Sequence, residues 1–153
     1  MSGDGLLLDT NVISEVMRPQ PDLRVMGWMN AQDGTQLFLS TTSLAELLSG
    51  LANMPDGQRK IGLQALLKRL RTNWFAGRVL PFTEDAAERY GIVVSDARRR
   101  GRAISVPDGQ IAAIASVHGF AVATRDTEPF EAAGVPVINP WRAASDARSR
   151  LSE

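Results

Sequence analysis

The sequence predicts an α/β fold, a single domain with a mostly parallel β-sheet flanked by α-helices. Three observations carry this. Short, continuous apolar runs such as Leu6-Leu7-Leu8 suit strands buried on both faces of a parallel sheet. These runs alternate with stretches of helical periodicity along the whole chain, which calls for crossover connections and helices on both faces. The 153 residues suit one domain, and 44% hydrophobic with 22% charged residues is the balance of a chain that buries a core.

The elements follow in order. After the strand at Leu6-Leu7-Leu8, a helix is expected over 12–17, ending before Pro19, and a second from Pro21 and Asp22 towards Asn30. Asp33-Gly34 is a turn before a strand over 36–39. Leu44, Leu47, Leu48 and Leu51 repeat at helical spacing, giving a helix over 42–51. Met54-Pro55-Asp56-Gly57 is a loop. An amphipathic helix over 58–74 sets Ile61, Leu63, Leu66, Leu67 and Leu70 against Arg59, Lys60, Lys68, Arg69 and Arg71. A short strand over 78–80 precedes a helix from Thr83 to Arg100, with Gly101 as its stop. Pro107 and Asp108 open a helix that ends near Gly119. Strands over 121–123 and 135–138 complete the pattern. The domain is expected to span 1–142, and 143–153 form a polar, flexible C-terminal tail.

Composition narrows the chemistry. Lysine plus arginine equals aspartate plus glutamate at 17 each, so nothing global draws the chain to a polyanion; nucleic-acid binding would need a local cluster, a bound cation or a partner. The absence of cysteine excludes disulfides, cysteine-ligated zinc, iron–sulfur clusters and thiol catalysis, and fits a reducing cytoplasm. No apolar run reaches membrane-spanning length, so a cytoplasmic, membrane-free protein is expected. A single histidine, His118, excludes a metal-free ribonuclease built on paired histidines and reads as a helix-end residue.

Ligands of open α/β sheets bind beyond the carboxyl ends of the strands. Asp9 follows the first strand and Asp126 follows 121–123 within Thr124-Arg125-Asp126. Glu46 lies in the first turns of the helix after the second strand, and Asp108 starts its own helix. Each has a plain structural alternative: Asp9 as a helix cap, Ser43-Leu44-Ala45-Glu46 as a capping box, Asp108 as a helix start, Asp126 as a turn residue. Together, the four could point into one crevice. Four converging carboxylates repel one another, and a divalent cation resolves the conflict. All-oxygen donors select Mg²⁺ or Mn²⁺ over zinc, and such ions suit phosphodiester hydrolysis.

These blocks resemble the PIN domain, and in particular toxin subunits of VapBC-type toxin–antitoxin pairs. The carriers are Leu6-Leu7-Leu8-Asp9-Thr10-Asn11-Val12-Ile13-Ser14-Glu15, Leu39-Ser40-Thr41-Thr42-Ser43-Leu44-Ala45-Glu46-Leu47, Val106-Pro107-Asp108-Gly109-Gln110-Ile111-Ala112-Ala113-Ile114-Ala115 and Val122-Ala123-Thr124-Arg125-Asp126, in that order. Val135-Pro136-Val137-Ile138-Asn139-Pro140-Trp141 is similar to the FitB-like branch. The resemblance covers residues 5–142. It implies a metal-dependent endoribonuclease that leaves a 3′-hydroxyl and a 5′-phosphate. Asp9, Glu46 and Asp108 match the family's three regular acids, Asp126 a more variable fourth, Thr124 a small hydroxyl residue near the metal, and Asn11 a polar residue that orients the first acid. It also implies a homodimer, an RNA substrate, a protein antitoxin that wraps the toxin and can place an arginine near the carboxylates, and contact with DNA only through that antitoxin. One departure is local: Pro107 and Gly109 flank the third acid, where this branch often has small or apolar residues. Pro107 pre-sets the helix start and Gly109 loosens it.

Other features are read beside this. Arg98, Arg99, Arg100 and Arg102 form the densest basic cluster, either a candidate RNA-binding patch or a solvated helix C-terminus opposing the dipole. Trp28, Trp74 and Trp141 are read as core or interface residues. The amphipathic stretches around 12–30 and 42–74 could form a groove for a partner helix, although packing on the chain's own core is the default. Two other functions compete. An aspartyl-nucleophile phosphatase would use Asp9, but its common pattern wants a second aspartate where Asn11 stands. A catalytically silent interaction or RNA-binding domain would not need four intact acids.

Overall fold

The computed structural model describes residues 5–142; the polar tail expected over 143–153 lies outside them. Among the described residues, one five-stranded sheet is built from β1 (Leu6–Leu8), β2 (Leu37–Ser40), β3 (Val79–Leu80), β4 (Ala121–Ala123) and β5 (Val137–Ile138), in the order β3-β2-β1-β4-β5. Every pairing is parallel, with Leu7 opposite Phe38 on one side and Val122 on the other. The sheet is therefore parallel throughout.

The helices are α1 (Thr10–Val16), α2 (Leu23–Ala31), α3 (Thr41–Ala52), α4 (Gln58–Arg69), α5 (Glu84–Arg99), α6 (Val106–His118) and α7 (Thr127–Ala132). They sort onto the two faces by the period-2 alternation of β1. Leu6 and Leu8 join the core that includes Val12, Val25, Leu47 and Leu67 from α1 to α4. Leu7 joins the opposite core, with Val93, Ile111, Ile114 and Phe130 from α5 to α7. A strand of three leucines, each buried, can face both layers because both are apolar.

Local chemistry sets the boundaries. Asp22 caps α2 by accepting the Arg24 N–H, Thr83 caps α5 by accepting the Ala86 N–H, and Gly119 ends α6 in the left-handed region at φ +68°. Three details depart from the sequence reading. The helix expected over 58–74 is α-helical only to Arg69 and continues as one wider turn, Leu70–Trp74, where the Phe75 N–H reaches the Leu70 carbonyl at 2.8 Å. Helix α7 was not anticipated; it is short, and Pro129 sits within it. The last strand is only Val137–Ile138, because the Val135 N–H turns back to the Phe130 carbonyl. Trp28 and Trp141 are buried, whereas Trp74 is 52% exposed. No helix among the described residues is long and apolar enough to cross a membrane.

The strand order reverses about β1. Its neighbours β2 and β4 lead away in opposite directions, so a crevice opens beyond the carboxyl ends of β1 and β4.

Candidate active site

Asp9 stands at that crevice. Its N–H completes the ladder by donating to the Ala123 carbonyl at 2.9 Å, which fixes it at the end of β1. Its side chain also caps α1: Oδ1 accepts the Thr10 N–H at 2.8 Å. Capping and site-facing roles therefore coexist. Oδ2 accepts the Thr124 hydroxyl at 2.8 Å and lies 3.5 Å from Asn11 Nδ2. At 5% exposure the carboxyl is desolvated, and burial pushes its pKa up to about 6. The bonds from Thr124 and Thr10 oppose that rise, and the charges of Asp108 and Glu46 add to it.

Thr124, fully buried at the end of β4, is the hub. Besides donating to Asp9, its oxygen accepts from Asn11 Nδ2 at 3.2 Å and from the Asp126 N–H at 3.0 Å. Asn11 Oδ1 accepts the Arg125 N–H at 3.3 Å. One hydroxyl and one amide thus join the loops after β1 and β4.

Glu46 enters from α3. Ser40 caps that helix by accepting the Ser43 N–H at 2.9 Å, so Ser43–Glu46 is not a capping box; the helix starts three residues earlier. Glu46 is free of a cap role, and its Oε1 accepts the Thr10 hydroxyl at 2.7 Å. Thr10 is a site residue the sequence reading passed over. Its signal was its place between two singled-out residues, Asp9 and Asn11.

Asp108 lies in the first turn of α6, whose cap is Ser105; the Asp108 N–H donates to Ser105 Oγ at 3.2 Å. Burial raises its pKa, as do the charges of Asp126 and Glu46, against the Ser105 hydrogen bond and the Arg102 charge. Gly109 does not loosen this start. It is buried, and a Cβ there would lie 2.8 Å from the Tyr90 ring, so glycine lets α6 approach α5. Asp126 is exposed at the N-terminus of α7 and makes no capping bond with its side chain.

Asp9, Glu46, Asp108 and Asp126 all line one cleft of about 680 Å³, with Asn11 and Trp141. Among the described residues no three acidic or histidine side chains close into a ready-made coordination shell. The donor set still fits a hard divalent ion. Mg²⁺ retains several waters and needs only one or two direct carboxylates, and mutually repelling carboxylates open apart unless a cation draws them in.

The Arg98–Arg102 cluster does not line this cleft. Arg99 lies 3.3 Å from Asp96, Arg100 donates to the Ala132 carbonyl and Arg102 to Glu128 at 2.8 Å, while Arg98 is exposed. The arginines that do line it are Arg18, Arg59 and Arg125, which the sequence reading did not single out for the site. His118 is exposed at the end of α6 and stacks on Phe120, away from the acids. Beside the cleft, a groove of about 750 Å³ runs between α1, α3 and α4 and shares Thr10, Arg18, Glu46 and Arg59 with it.

Comparison with known proteins identifies the fold and the family. The PIN domain family model matches residues 6–135. The chain is 49% identical over 139 residues to VapC ribonuclease Y4jK of Sinorhizobium fredii, covering 91% of this chain and 99% of that protein. It is 46% identical over 136 residues to toxin FitB of Neisseria gonorrhoeae, covering 89% and 98%. A solved structure of FitAB bound to an IR36 DNA fragment superimposes with a TM-score of 0.84 at 44% identity, covering 89% of this chain and 95% of that one.

Proposed function

The chain belongs to the PIN-domain family, and from that premise we propose that it is the toxin of a toxin–antitoxin pair, an endoribonuclease dependent on Mg²⁺ or Mn²⁺. The observation that carries this reading is the placement of Asp9, Glu46, Asp108 and Asp126 around one cleft at the point where the strand order reverses. Asp9, Glu46, Asp108 and Asp126 would hold a divalent cation there, and its chemistry would be to lower the pKa of a bound water and to offset charge building on the phosphate.

The chain's own residues prepare that chemistry. Thr124 and Thr10 hold the Asp9 carboxylate in one orientation, so little reorganisation accompanies its use. Thr10 also steadies Glu46, which couples the ends of β1 and α3 through one residue. Thr42 donates to Gln110 at 2.9 Å and ties α3 to α6, the helices that carry Glu46 and Asp108. Asp126 remains exposed where it lines the cleft.

The proposed partner is a cognate protein antitoxin, with the protein itself a homodimer and with DNA reached through the antitoxin. The similarity to FitAB bound to DNA supports the antitoxin and the indirect DNA contact, and the groove beside the cleft offers the antitoxin a seat. A segment lying in that groove would end against Glu46 and block the acids. The phosphatase alternative finds no support in the site, where Asn11 is a hydrogen-bond bridge to Thr124 and Asp9.

The test is incubation of antitoxin-free protein with total cellular RNA in Mg²⁺, Mn²⁺ or EDTA, with Asp9→Asn alongside. Discrete fragments that vanish with EDTA and in the variant are expected. Equal cutting by Asp9→Asn, or no cutting by metal-supplied protein whose Mn²⁺ binding is established by calorimetry, would overturn the reading.

A further inference from the structure

The carboxylate cleft contains an electrostatic conflict for an RNA substrate, since the acids that attract a cation repel phosphate. A positive charge on the wall would resolve it, and three arginines line that wall. Arg18 is engaged, 3.3 Å from the buried Glu15. Arg59 lies on the exposed side of α4, shared between cleft and groove, and no hydrogen bond or ion pair holds its side chain among the described residues.

Arg125 differs from both. It is the residue between Thr124, which bonds Asp9, and Asp126, and its N–H is held by Asn11 Oδ1 at 3.3 Å. Its guanidinium carbon lies over the Trp141 ring, 5.1 Å from the centroid. That ring is itself fixed: Trp141 is 4% exposed, and its backbone N–H donates to Asn139 Oδ1 at 2.9 Å. Although four carboxylates line the same cleft, the cation is placed there exposed, with its guanidinium in no ion pair among the described residues.

We infer that Arg125, laid over Trp141 and tied through its backbone to the Asp9–Thr124–Asn11 network, positions the substrate by gripping an RNA backbone phosphate beside the one that is cut. The inference rests on the ribonuclease reading and adds a residue to it. A guanidinium held over an aromatic ring by cation–π attraction keeps N–H groups for a phosphate, which it can meet with two parallel hydrogen bonds. The contact also restrains a long side chain before the substrate arrives, so less freedom is lost on binding. Lysine would restore the charge but not the fork.

The experiment uses the full chain, freed of antitoxin, in Mn²⁺. The substrate is a labelled single-stranded RNA oligonucleotide spanning a cut site mapped in total RNA. KM and kcat are measured over a salt series for the unaltered protein, Arg125→Gln and Arg125→Lys. Arg125→Gln is expected to raise KM about tenfold with kcat within a few-fold, and to flatten the log–log salt dependence by roughly 0.7, the loss of one phosphate contact on a single strand. Arg125→Lys is expected to keep the salt slope while KM rises by less. An unchanged KM and slope in Arg125→Gln would overturn the inference and leave the ribonuclease standing. So would a fall in kcat alone, which would mean that Arg125 acts only through the Asp9 network. If the unaltered protein cuts no RNA, the ribonuclease reading fails and this inference fails with it.

Discussion

The Thr124 hydroxyl donates a 2.8 Å hydrogen bond to Asp9 Oδ2 across 115 residues of sequence. Both groups are buried, and Thr124 also accepts from Asn11 and from the Asp126 N–H. Thr124→Val keeps the shape and removes the hydroxyl. Asp9 then loses a bond that opposes its burial, so its pKa rises further and less carboxylate is present at neutral pH. Cleavage at pH 7 is expected to fall about twofold, because a rise of about one unit from 6 takes the ionised fraction from roughly nine-tenths to one-half, and the rising limb of the pH–rate profile to move to higher pH. Thr124→Ser should restore most of the activity. An unshifted profile in Thr124→Val would contradict the assignment.

Asp9 also makes stability depend on pH, with a definite sign. Its folded-state pKa, about 6, lies above the ordinary aspartate value of 3.8. Between those values the folded state holds a proton that the unfolded state has released. The stabilisation is fully present below about pH 4 and is lost as pH rises through 6. Asp108 shifts in the same direction and adds to the effect. Asp9→Asn is therefore expected to raise the melting temperature of metal-free protein at pH 7.5, with a stability gain on the order of 2–3 kcal/mol at 1.36 kcal/mol per unit, and to give little gain at pH 4. Mn²⁺ should raise the melting temperature of the unaltered protein at pH 7.5 much more than that of the variant. A variant less stable than the parent at pH 7.5 would refute the account.

Much of this was legible in the sequence because the relevant signals are local. Leu6-Leu7-Leu8 reads as a doubly buried strand, and an acid directly after a strand reads as a site residue wherever the strand lies in the sheet. Strand order was not legible in detail, since nothing local states that β4 pairs with β1. Helix α7 was missed because Pro129 and Gly134 resemble loop punctuation, whereas Phe130 and Ala133 anchor it through tertiary burial. Thr10 and Arg125 were missed for a related reason. A hydroxyl or guanidinium acquires its role from a partner distant in sequence, Glu46 for one and Trp141 for the other. The Arg98–Arg102 run stood out by density, yet Arg99, Arg100 and Arg102 find partners on their own surface.

Thr10 gives a cleaner test of positioning than Glu46 itself. Its hydroxyl donates to Glu46 at 2.7 Å, and the pair is exposed, so its loss should change stability by less than about 0.5 kcal/mol. Thr10→Val is expected to weaken Mn²⁺ binding and slow cleavage several-fold by freeing Glu46 to other rotamers, with Thr10→Ser near the parent. Calorimetric Mn²⁺ titration and single-turnover cleavage read both effects. Unchanged values in Thr10→Val would show that Glu46 does not depend on this bond.

Gly109 separates local propensity from packing. In an open helix interior, glycine to alanine stabilises by roughly 0.5–1 kcal/mol. In α6 the added Cβ would lie 2.8 Å from Tyr90 Cε2 and 3.1 Å from Val94 Cγ2, both on α5. Neither neighbour can move freely, because Tyr90 packs edge-on against Phe82 and Val94 is packed into the same core. Gly109→Ala should therefore destabilise by about 1–3 kcal/mol, the usual cost of overpacking. It should also slow cleavage, since α6 would move and Asp108 is the adjacent residue. The double variant with Tyr90→Ala separates these effects. Once the ring is removed the clash goes, so adding Gly109→Ala to Tyr90→Ala should cost far less than adding it to the parent. Urea unfolding of the four proteins gives the coupling directly, and a stabilised Gly109→Ala single variant would mean that α6 and α5 do not approach as closely as this geometry requires.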